Sequence, residues 1–185
     1  MRLSIILTLM SLFITFLTDL QGYEGKRWDR RGLQEYAKDV QKRKGWVQRS
    51  EGFFNGKLEK VSVRFESYQM VEFDEARKLF VPEVRKAIAM LQNKQKKSIL
   101  ATNGPFGPTN LTFSLTLNRP DDEYYPPPFI TMVIFANEKI SYHTRNANGK
   151  GFCEICEESF EEAIEILNRE ASQTEMLTDT SAEHK

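Results

Sequence analysis

Cys153 and Cys156 are the residues whose type and spacing point most directly to chemistry. They form a Cys-x-x-Cys motif, and at a helix N-terminus such a motif can lower a thiol pKa and support disulfide exchange. Glu154, Glu157 and Glu158 disfavour the thiolate, and the chain lacks the early strand–helix–strand order of thioredoxin-like folds. Three interpretations remain: a structural disulfide between the two cysteines, two free thiols, or thiol–disulfide catalysis.

A metal or cofactor site needs more ligands than the sequence brings together. Cys153, Cys156 and His143 are three possible metal ligands, but their spacing matches no standard zinc module. The chain has no Ser/His/Asp order, phosphate-binding loop or His-Glu-x-x-His motif. The sequence therefore predicts no metal and no cofactor, and it favours a function without catalysis.

The N-terminus has the pattern of an export signal. Fifteen apolar or hydroxyl-bearing residues, Leu3 to Leu17, follow Arg2, a length typical of a signal-peptide core rather than a membrane span. Residues 1–22 are interpreted as a cleaved signal peptide. Basic residues soon after the core oppose translocation, so an uncleaved anchor through residues 3–20 is the alternative. We expect a secreted or extracytoplasmic protein, periplasmic in a bacterium, whose only membrane segment is this one.

Charge is distributed unevenly, although the formal net charge is zero. Residues 23–97 carry an excess of eight positive charges, and residues 98–185 carry an excess of eight negative charges. Two explanations fit this imbalance. Helices near the two termini carry solvated faces of opposite charge, or the molecule is electrically polarised and attracts an acidic partner or an anionic surface. The basic residues expected to contact such a partner are Lys38, Lys42, Arg43, Arg77, Lys78 and Arg85.

Aromatic residues and a glycosylation sequon mark two loops. Tyr124 and Tyr125 lie in an acidic, proline-rich connection, and Phe106 lies in a loop rich in glycine and proline. These three side chains either line a binding groove or pin their loops to the core. Asn110 begins an Asn-Leu-Thr sequon, so it is a glycosylation candidate if the source secretes through a eukaryotic pathway.

Hydrophobic periodicity predicts three helices. The first covers Trp28 to Lys44, and the last covers Ser159 to Arg169 and leads into a flexible polar tail at 171–185. The longest, Glu72 to Lys97, organises the domain, with acidic residues in its first turn and lysines in its last. Pro82 interrupts it, which predicts a kink or two shorter helices. Its apolar stripe consists of Phe73, Ala76, Phe80, Val84, Ala87, Ile88 and Leu91.

Alternating apolar residues predict the strands. The segment from Leu111 to Leu117 alternates strictly between apolar and hydroxyl-bearing residues. The segment from Val61 to Phe65 also alternates, and it follows an Asn55-Gly56 hairpin signal. Residues 129–135 are apolar on both sides, which predicts a central strand, and residues 140–145 predict a further one.

Residues 23–170 are predicted to form a single α+β domain. Its antiparallel sheet has about four to five strands, with the long kinked helix and the C-terminal helix packed on one face. A long helix followed by a meander resembles the layout of cystatin-like and nuclear-transport-factor-2-like folds. The resemblance is one of layout, because the chain has no inhibitory or catalytic motif of either group.

Two functions from different classes follow from these features. The first is an exported, non-enzymatic protein that binds an unknown protein, peptide or small ligand through its loops or sheet. The second is a thiol–disulfide active protein that uses Cys153 and Cys156. Nucleic acid is not an expected partner, because an exported chain rarely meets it.

Overall fold

The computed structural model describes residues 32–54, 60–97 and 106–182. Within these residues, three helices pack on a six-stranded sheet, which confirms the α+β fold class. The predicted leader at 1–22 and the Asn55-Gly56 turn lie outside the described residues. The elements are α1 (32–44), β1 (Val47–Phe54), β2 (Lys60–Ser67), α2 (Phe73–Lys97), a 3₁₀ turn (Pro108–Asn110), β3 (Leu111–Leu117), β4 (Met132–Ala136), β5 (Lys139–Arg145), β6 (Phe152–Ser159) and α3 (Phe160–Ala182).

The first helix ends at Lys44, as its sequence predicts, and it packs one side into the core. Its apolar stripe, which includes Tyr36 and Val40, is buried in the core. Gly45 follows the last turn with φ +71°, and its N–H donates to the carbonyl oxygen of Gln41 at 2.8 Å. This left-handed conformation favours glycine after a helix, because a side chain there is strained.

The long helix α2 is one continuous helix of 25 residues that includes Pro82, not two short helices. Phe80 and Ile88 are buried on its inner face, as the apolar spacing predicts. The ring of Phe80 contacts Phe113 in β3 edge to face, with 5.4 Å between the ring centroids. Among the described residues, no helix is long and apolar enough to cross a membrane.

The six strands follow one another across the sheet in chain order. All neighbours are antiparallel except β2 and β3, which run parallel from Val61 beside Leu111 to Ser67 beside Leu117. Helix α2 joins these two strands and returns the chain to the end of the sheet where β2 begins, so β3 runs the same way. The predicted strand count was too low, and this parallel pair was not foreseen.

One apolar core fills the space between the helices and the inner face of the sheet. Phe113 lies at its centre and contacts the rings of Tyr36 and Phe65, with centroids 6.5 and 5.3 Å away. The residues of β3 alternate between buried and half-buried, which confirms the strand predicted from strict alternation. The fully buried aromatic rings fill the space between α2 and the sheet.

The last helix is longer than its sequence predicts. It begins with a capping box, in which Glu162 N–H donates to Ser159 Oγ and Ser159 N–H donates to Glu162 Oε2. It then continues through Ala182, whereas the apolar stripe predicts an end at Arg169. Most residues in this extension tolerate a helix well, although few are apolar. The flexibility proposed for residues 171–185 stays a prediction.

Candidate functional site

Exposed apolar side chains gather at one end of the sheet, where β2, β3 and β5 end and β4 and β6 begin. Within the described ranges, four large hydrophobic side chains are exposed, and three of them lie here: Tyr68 (42%), Met70 (54%) and Phe152 (38%). Several exposed apolar side chains at the same end of a sheet are more informative than one scattered apolar residue. We call this region the aromatic end, and it consists of Tyr68, Met70, Tyr124, Tyr125, Phe129 and Phe152.

Hydrogen bonds tie the two loops of the aromatic end to each other. The N–H of Ile130 donates to the carbonyl oxygen of Val71 at 3.0 Å. The hydroxyl of Tyr125 donates to the carbonyl oxygen of Tyr68 at 2.9 Å. The loop that leads into α2 is therefore held against the proline-rich connection, and its exposed side chains are presented from a fixed backbone.

Ring contacts and an ion pair hold Tyr124 against the sheet. Its ring meets the ring of Phe152 edge to face, with 4.8 Å between centroids. Next to it, Glu123 accepts a hydrogen bond from the Arg145 guanidinium at 3.2 Å. Tyr124 and Tyr125 are thus pinned to the domain, and both remain half-exposed.

A buried carboxylate supports the loop that carries Tyr68. Glu66 lies on the outer face of the sheet and accepts hydrogen bonds from Arg49 and, at 2.6 Å, from the amide of Asn118. The hydrogen bond from Arg49 lowers the pKa of Glu66. The N–H of Asn118 also donates to the carbonyl oxygen of Ser67 at 2.9 Å, so the ends of β2 and β3 are fixed together.

A shallow groove of about 490 Å³ opens beside the first turns of α2, next to Met70. Its apolar lining comes from Met70, Val71 and Leu79. One of its rim residues, Lys78, forms an ion pair with Glu170 of α3 at 2.9 Å, so α3 borders the groove. The lining residues are Gln69, Met70, Val71, Glu75, Lys78 and Leu79.

The structure divides the predicted basic residues into paired and unpaired groups. Within the described residues, Lys38, Lys42 and Arg85 are exposed and form no ion pair. Arg43 instead donates two hydrogen bonds to the buried carboxylate of Glu83, at 2.8 and 2.9 Å. Burial by itself raises the pKa of Glu83, but the hydrogen bonds and charge of Arg43 outweigh it, and the pKa is lowered. The basic surface is therefore smaller than the sequence predicts.

Arg77 does not belong to that surface at all. It is buried, and its guanidinium donates to Glu158 of β6 at 3.0 Å and to Asp74 at 2.9 Å. It also lies over the ring of Phe73, 4.5 Å from the centroid. The hydroxyl of Tyr142 donates to the same Glu158 carboxylate at 2.6 Å. Placing Arg77 on the outward face of α2 was wrong, because it turns inward to join α2 to the sheet.

The predicted groove between Phe106 and the two tyrosines does not form. Phe106 is buried in the core ahead of β3, whereas Tyr124 and Tyr125 follow the far end of that strand. A seven-residue strand separates the two places by about 20 Å. Asn110 ends the 3₁₀ turn beside Phe106, and its side-chain oxygen accepts the N–H of Gly107 at 2.8 Å. Its glycosylation stays a prediction.

The two cysteines are free and half-buried in β6. Ile155 is an extra residue in the pairing of β6 with β5, so Cys153 and Cys156 both lie on the inner face, opposite Thr144 and Tyr142. A disulfide needs Cα atoms about 4.4–6.8 Å apart, and an extended strand advances about 3.3 Å per residue. The two cysteines are not at disulfide distance, so the predicted disulfide is wrong.

Thiol titration tests this correction. We expect two reactive thiols per unfolded chain with or without prior reduction, because neither sulfur is oxidised. In the folded protein Cys156 should react slowly with a chromogenic disulfide reagent, because burial and then the charge of Glu158 raise its pKa. Thiols that are detected only after reduction, or rapid reaction of Cys156 in the folded state, would contradict these expectations.

Metal-binding geometry and comparison with known proteins give no role for this site. Among residues 32–54, 60–97 and 106–182, no group of three or more His, Cys, Asp or Glu side chains is placed to hold a metal ion. No protein family, curated protein or solved structure matches this chain. The aromatic end therefore has to be interpreted from its own geometry.

Proposed function

We propose that this protein is exported and binds a protein partner through the aromatic end, without catalysing a reaction. The observation that carries the proposal is the exposure of Tyr68, Met70 and Phe152 together on hydrogen-bonded loops. Apolar side chains left in water lose the free energy that burial would provide, about 25 cal/mol per Å². A partner that covers them recovers this free energy.

The residue types and their rigidity suit recognition of a protein. Tyrosine, phenylalanine and methionine are enriched in the buried centres of protein interfaces. The hydrogen bonds from Tyr125 to Tyr68 and from Ile130 to Val71 order the loops before a partner arrives. Pre-ordered loops lose less conformational entropy on binding, so more of the contact free energy appears as affinity.

The described ionisable groups that are buried support a role without catalysis. Glu66, Glu83 and Glu158 each accept hydrogen bonds from an arginine, and these pairs join elements of the fold to one another. Burial raises the pKa of the Cys156 thiol, one of the two thiols on which the alternative function depends. A thiol with a raised pKa is a poor nucleophile at neutral pH.

Export rests on the apolar segment from Leu3 to Leu17. We expect the protein isolated from its source to begin near Tyr23, because a signal peptide is removed after translocation. Intact-mass measurement of the native protein gives the position of its N-terminus. A chain found in the cytosol that retains Met1 would contradict both the cleaved signal and the anchor.

Site-specific photo-cross-linking tests the binding surface. A benzophenone-bearing residue placed at Tyr68 or at Phe152 should capture one defined protein in living cells of the source. Ile155 is the matched control, because it is 47% exposed on the same strand as Phe152 but lies outside the aromatic end. Adducts at Ile155 as abundant as those at Phe152, or no defined adduct at either aromatic position, would overturn the proposal.

A further inference from the structure

The groove beside Met70 has an acidic rim. Glu72 and Glu75 are exposed in or just before the first turn of α2, and neither forms an ion pair among the described residues. Lys78 is the basic residue of the lining, and Glu170 neutralises it. Arg77, the next basic residue, is buried with Glu158. The positive charges near the groove are thus satisfied within the chain, and the uncompensated charges are negative.

Helix α3 continues beyond its contact with Lys78 at the groove. Glu170 meets Lys78 at the groove, and the helix continues for twelve more residues to Ala182, about 18 Å at 1.5 Å per residue. The residues at 171–174 are exposed. The sequence from 171 to 182 contains two acidic residues and no basic residue.

We infer that the groove binds a basic segment of the partner protein, with one apolar side chain inserted against Met70 and Leu79. This inference rests on the proposed function and names the chemistry of the partner. Lysine or arginine residues beside the apolar anchor contact Glu72 and Glu75. In this arrangement the turns of α3 beyond Glu170 lie beside the bound segment, and the two acidic residues of their sequence add negative charge.

Two physical consequences follow from this arrangement. Contacts between partly exposed charges are screened by salt, with a Debye length of about 8 Å at physiological ionic strength and about 3 Å at 1 M. Binding should therefore weaken as salt is added, while the contribution of the apolar anchor persists. The turns of α3 beyond Glu170 should also become more protected from hydrogen exchange when the segment binds beside them, because contact with a bound segment suppresses local opening.

Selection from a displayed library of random dodecapeptides tests the inference with the full chain as bait. The enriched peptides should carry an aliphatic or aromatic residue next to lysine or arginine. Their dissociation constants should rise at least about tenfold for the variant Met70→Ser and for the double reversal Glu72→Lys/Glu75→Lys, since anchors and charge pairs dominate such interfaces. A chain that ends at Glu170 should bind them more weakly than the full chain.

Two exposed residues on β6 provide matched controls. Ile155→Ser removes an apolar side chain that is nearly as exposed as Met70 (47% against 54%), and Glu154→Lys reverses an exposed charge; neither residue lines the groove. Neither change should alter peptide affinity. Thermal melting of all variants measures whether each remains folded, and the substituted proteins are expected to do so because every replaced side chain is exposed.

The outcomes separate the groove from the aromatic end as a whole. Peptides whose affinity falls when Tyr124 or Phe152 is replaced, but not when Met70 or Glu75 is replaced, would overturn the basic-segment inference. They would leave the proposed function standing. Enriched peptides without basic residues would also overturn it. If no peptide is enriched although cross-linking captures a partner at Tyr68, the groove does not bind linear segments and the inference fails. If cross-linking fails as well, both proposals fall.

Discussion

Replacing Arg43 with methionine should destabilise the protein by about 3 kcal/mol at pH 7, because it leaves a buried carboxylate without its main partner. The Glu83 side chain has no exposed surface and accepts two hydrogen bonds from Arg43. The expected cost is at the lower end of the range for broken buried pairs, about 3–5 kcal/mol, because Lys86 remains 3.3 Å from the same carboxylate. Urea unfolding followed by the fluorescence of the buried Trp46 measures it.

The pH dependence of this variant should have the opposite sign to that of the native pair. In the native protein the pKa of Glu83 is lowered, so the pair stabilises the fold above about pH 4.5 and is lost as pH falls through the folded-state pKa. Without Arg43, burial raises the pKa of Glu83, and the folded state gains stability as the carboxyl takes up a proton. The stability gap between native protein and variant should therefore shrink from pH 7 to pH 4.5.

Glu83→Gln, which changes the other member of the ion pair, is the control for Arg43→Met. It leaves the arginine without its buried partner, but the Arg43 side chain is 31% exposed and also contacts Asp39. The freed guanidinium can reach water, so the expected cost is only about 1–2 kcal/mol. A larger loss for Glu83→Gln than for Arg43→Met, or a gap that does not change with pH, would contradict the buried-carboxylate explanation.

Replacing Glu158 with alanine should cost about 4 kcal/mol, because two buried groups lose their acceptor at once. Arg77 is 7% exposed and the ring of Tyr142 is fully buried, and both donate to the Glu158 carboxylate. Asp74 still contacts Arg77 at 2.9 Å, but its own side chain is 69% exposed and holds the charge weakly. Urea unfolding at pH 7 gives the loss.

Two further variants separate the contributions within this cluster. Tyr142→Phe removes one hydrogen bond to a charged group, with an expected cost of about 1.5–3 kcal/mol. Asp74→Ala removes an exposed ion pair, with an expected cost of at most about 1 kcal/mol. The order Glu158→Ala, Tyr142→Phe, Asp74→Ala is the expected result. A loss below about 1 kcal/mol for Glu158→Ala would show that the Arg77 charge reaches solvent.

These two ion pairs place α2 and thereby the candidate site. The pair between Arg43 and Glu83 fixes α2 to α1, and the pair between Arg77 and Glu158 fixes the start of α2 to β6. Lys78, next to Arg77, lines the groove, and β6 carries Phe152 of the aromatic end. The stability predictions thus also concern the geometry on which binding depends.

The elements that could be predicted from the sequence are those with a repeating apolar pattern. The stripe of α2 and the alternation of Leu111 to Leu117 each predict an element close to its observed bounds. The pattern in β6 is interrupted, because the extra residue Ile155 places Cys153 and Cys156 on the same face at a spacing of three. Alternation therefore gives no clear signal for β6, which runs over eight residues from Phe152 to Ser159.

The contacts that build the site have no local signal. Arg43 and Glu83 are 40 residues apart, and Arg77 and Glu158 are 81 residues apart, so only the fold brings them together. The sequence shows charged helix faces and cannot show which charges turn inward. Tyr124 and Tyr125 stand out because they are adjacent in a proline-rich loop.

Tyr68 and Met70 were missed because isolated apolar residues in a short loop form no pattern. Their exposure, and their position beside the groove, follow from the crossover of α2 between two parallel strands. The available sequence signal for an exposed binding loop was a tyrosine and a methionine placed between a strand and a helix that begins with acidic residues. Alone it does not distinguish a binding loop from a loop whose side chains are buried.

Hydrogen–deuterium exchange of the full chain, with and without the protein captured by cross-linking, tests the proposed binding surface most directly. Binding through the aromatic end predicts new protection at 68–72 and 119–131, with no change in α1. Protection that is confined to α1 and to the outward turn of α2 around Arg85, while the two loops exchange as before, would contradict it and move the interface to the basic surface.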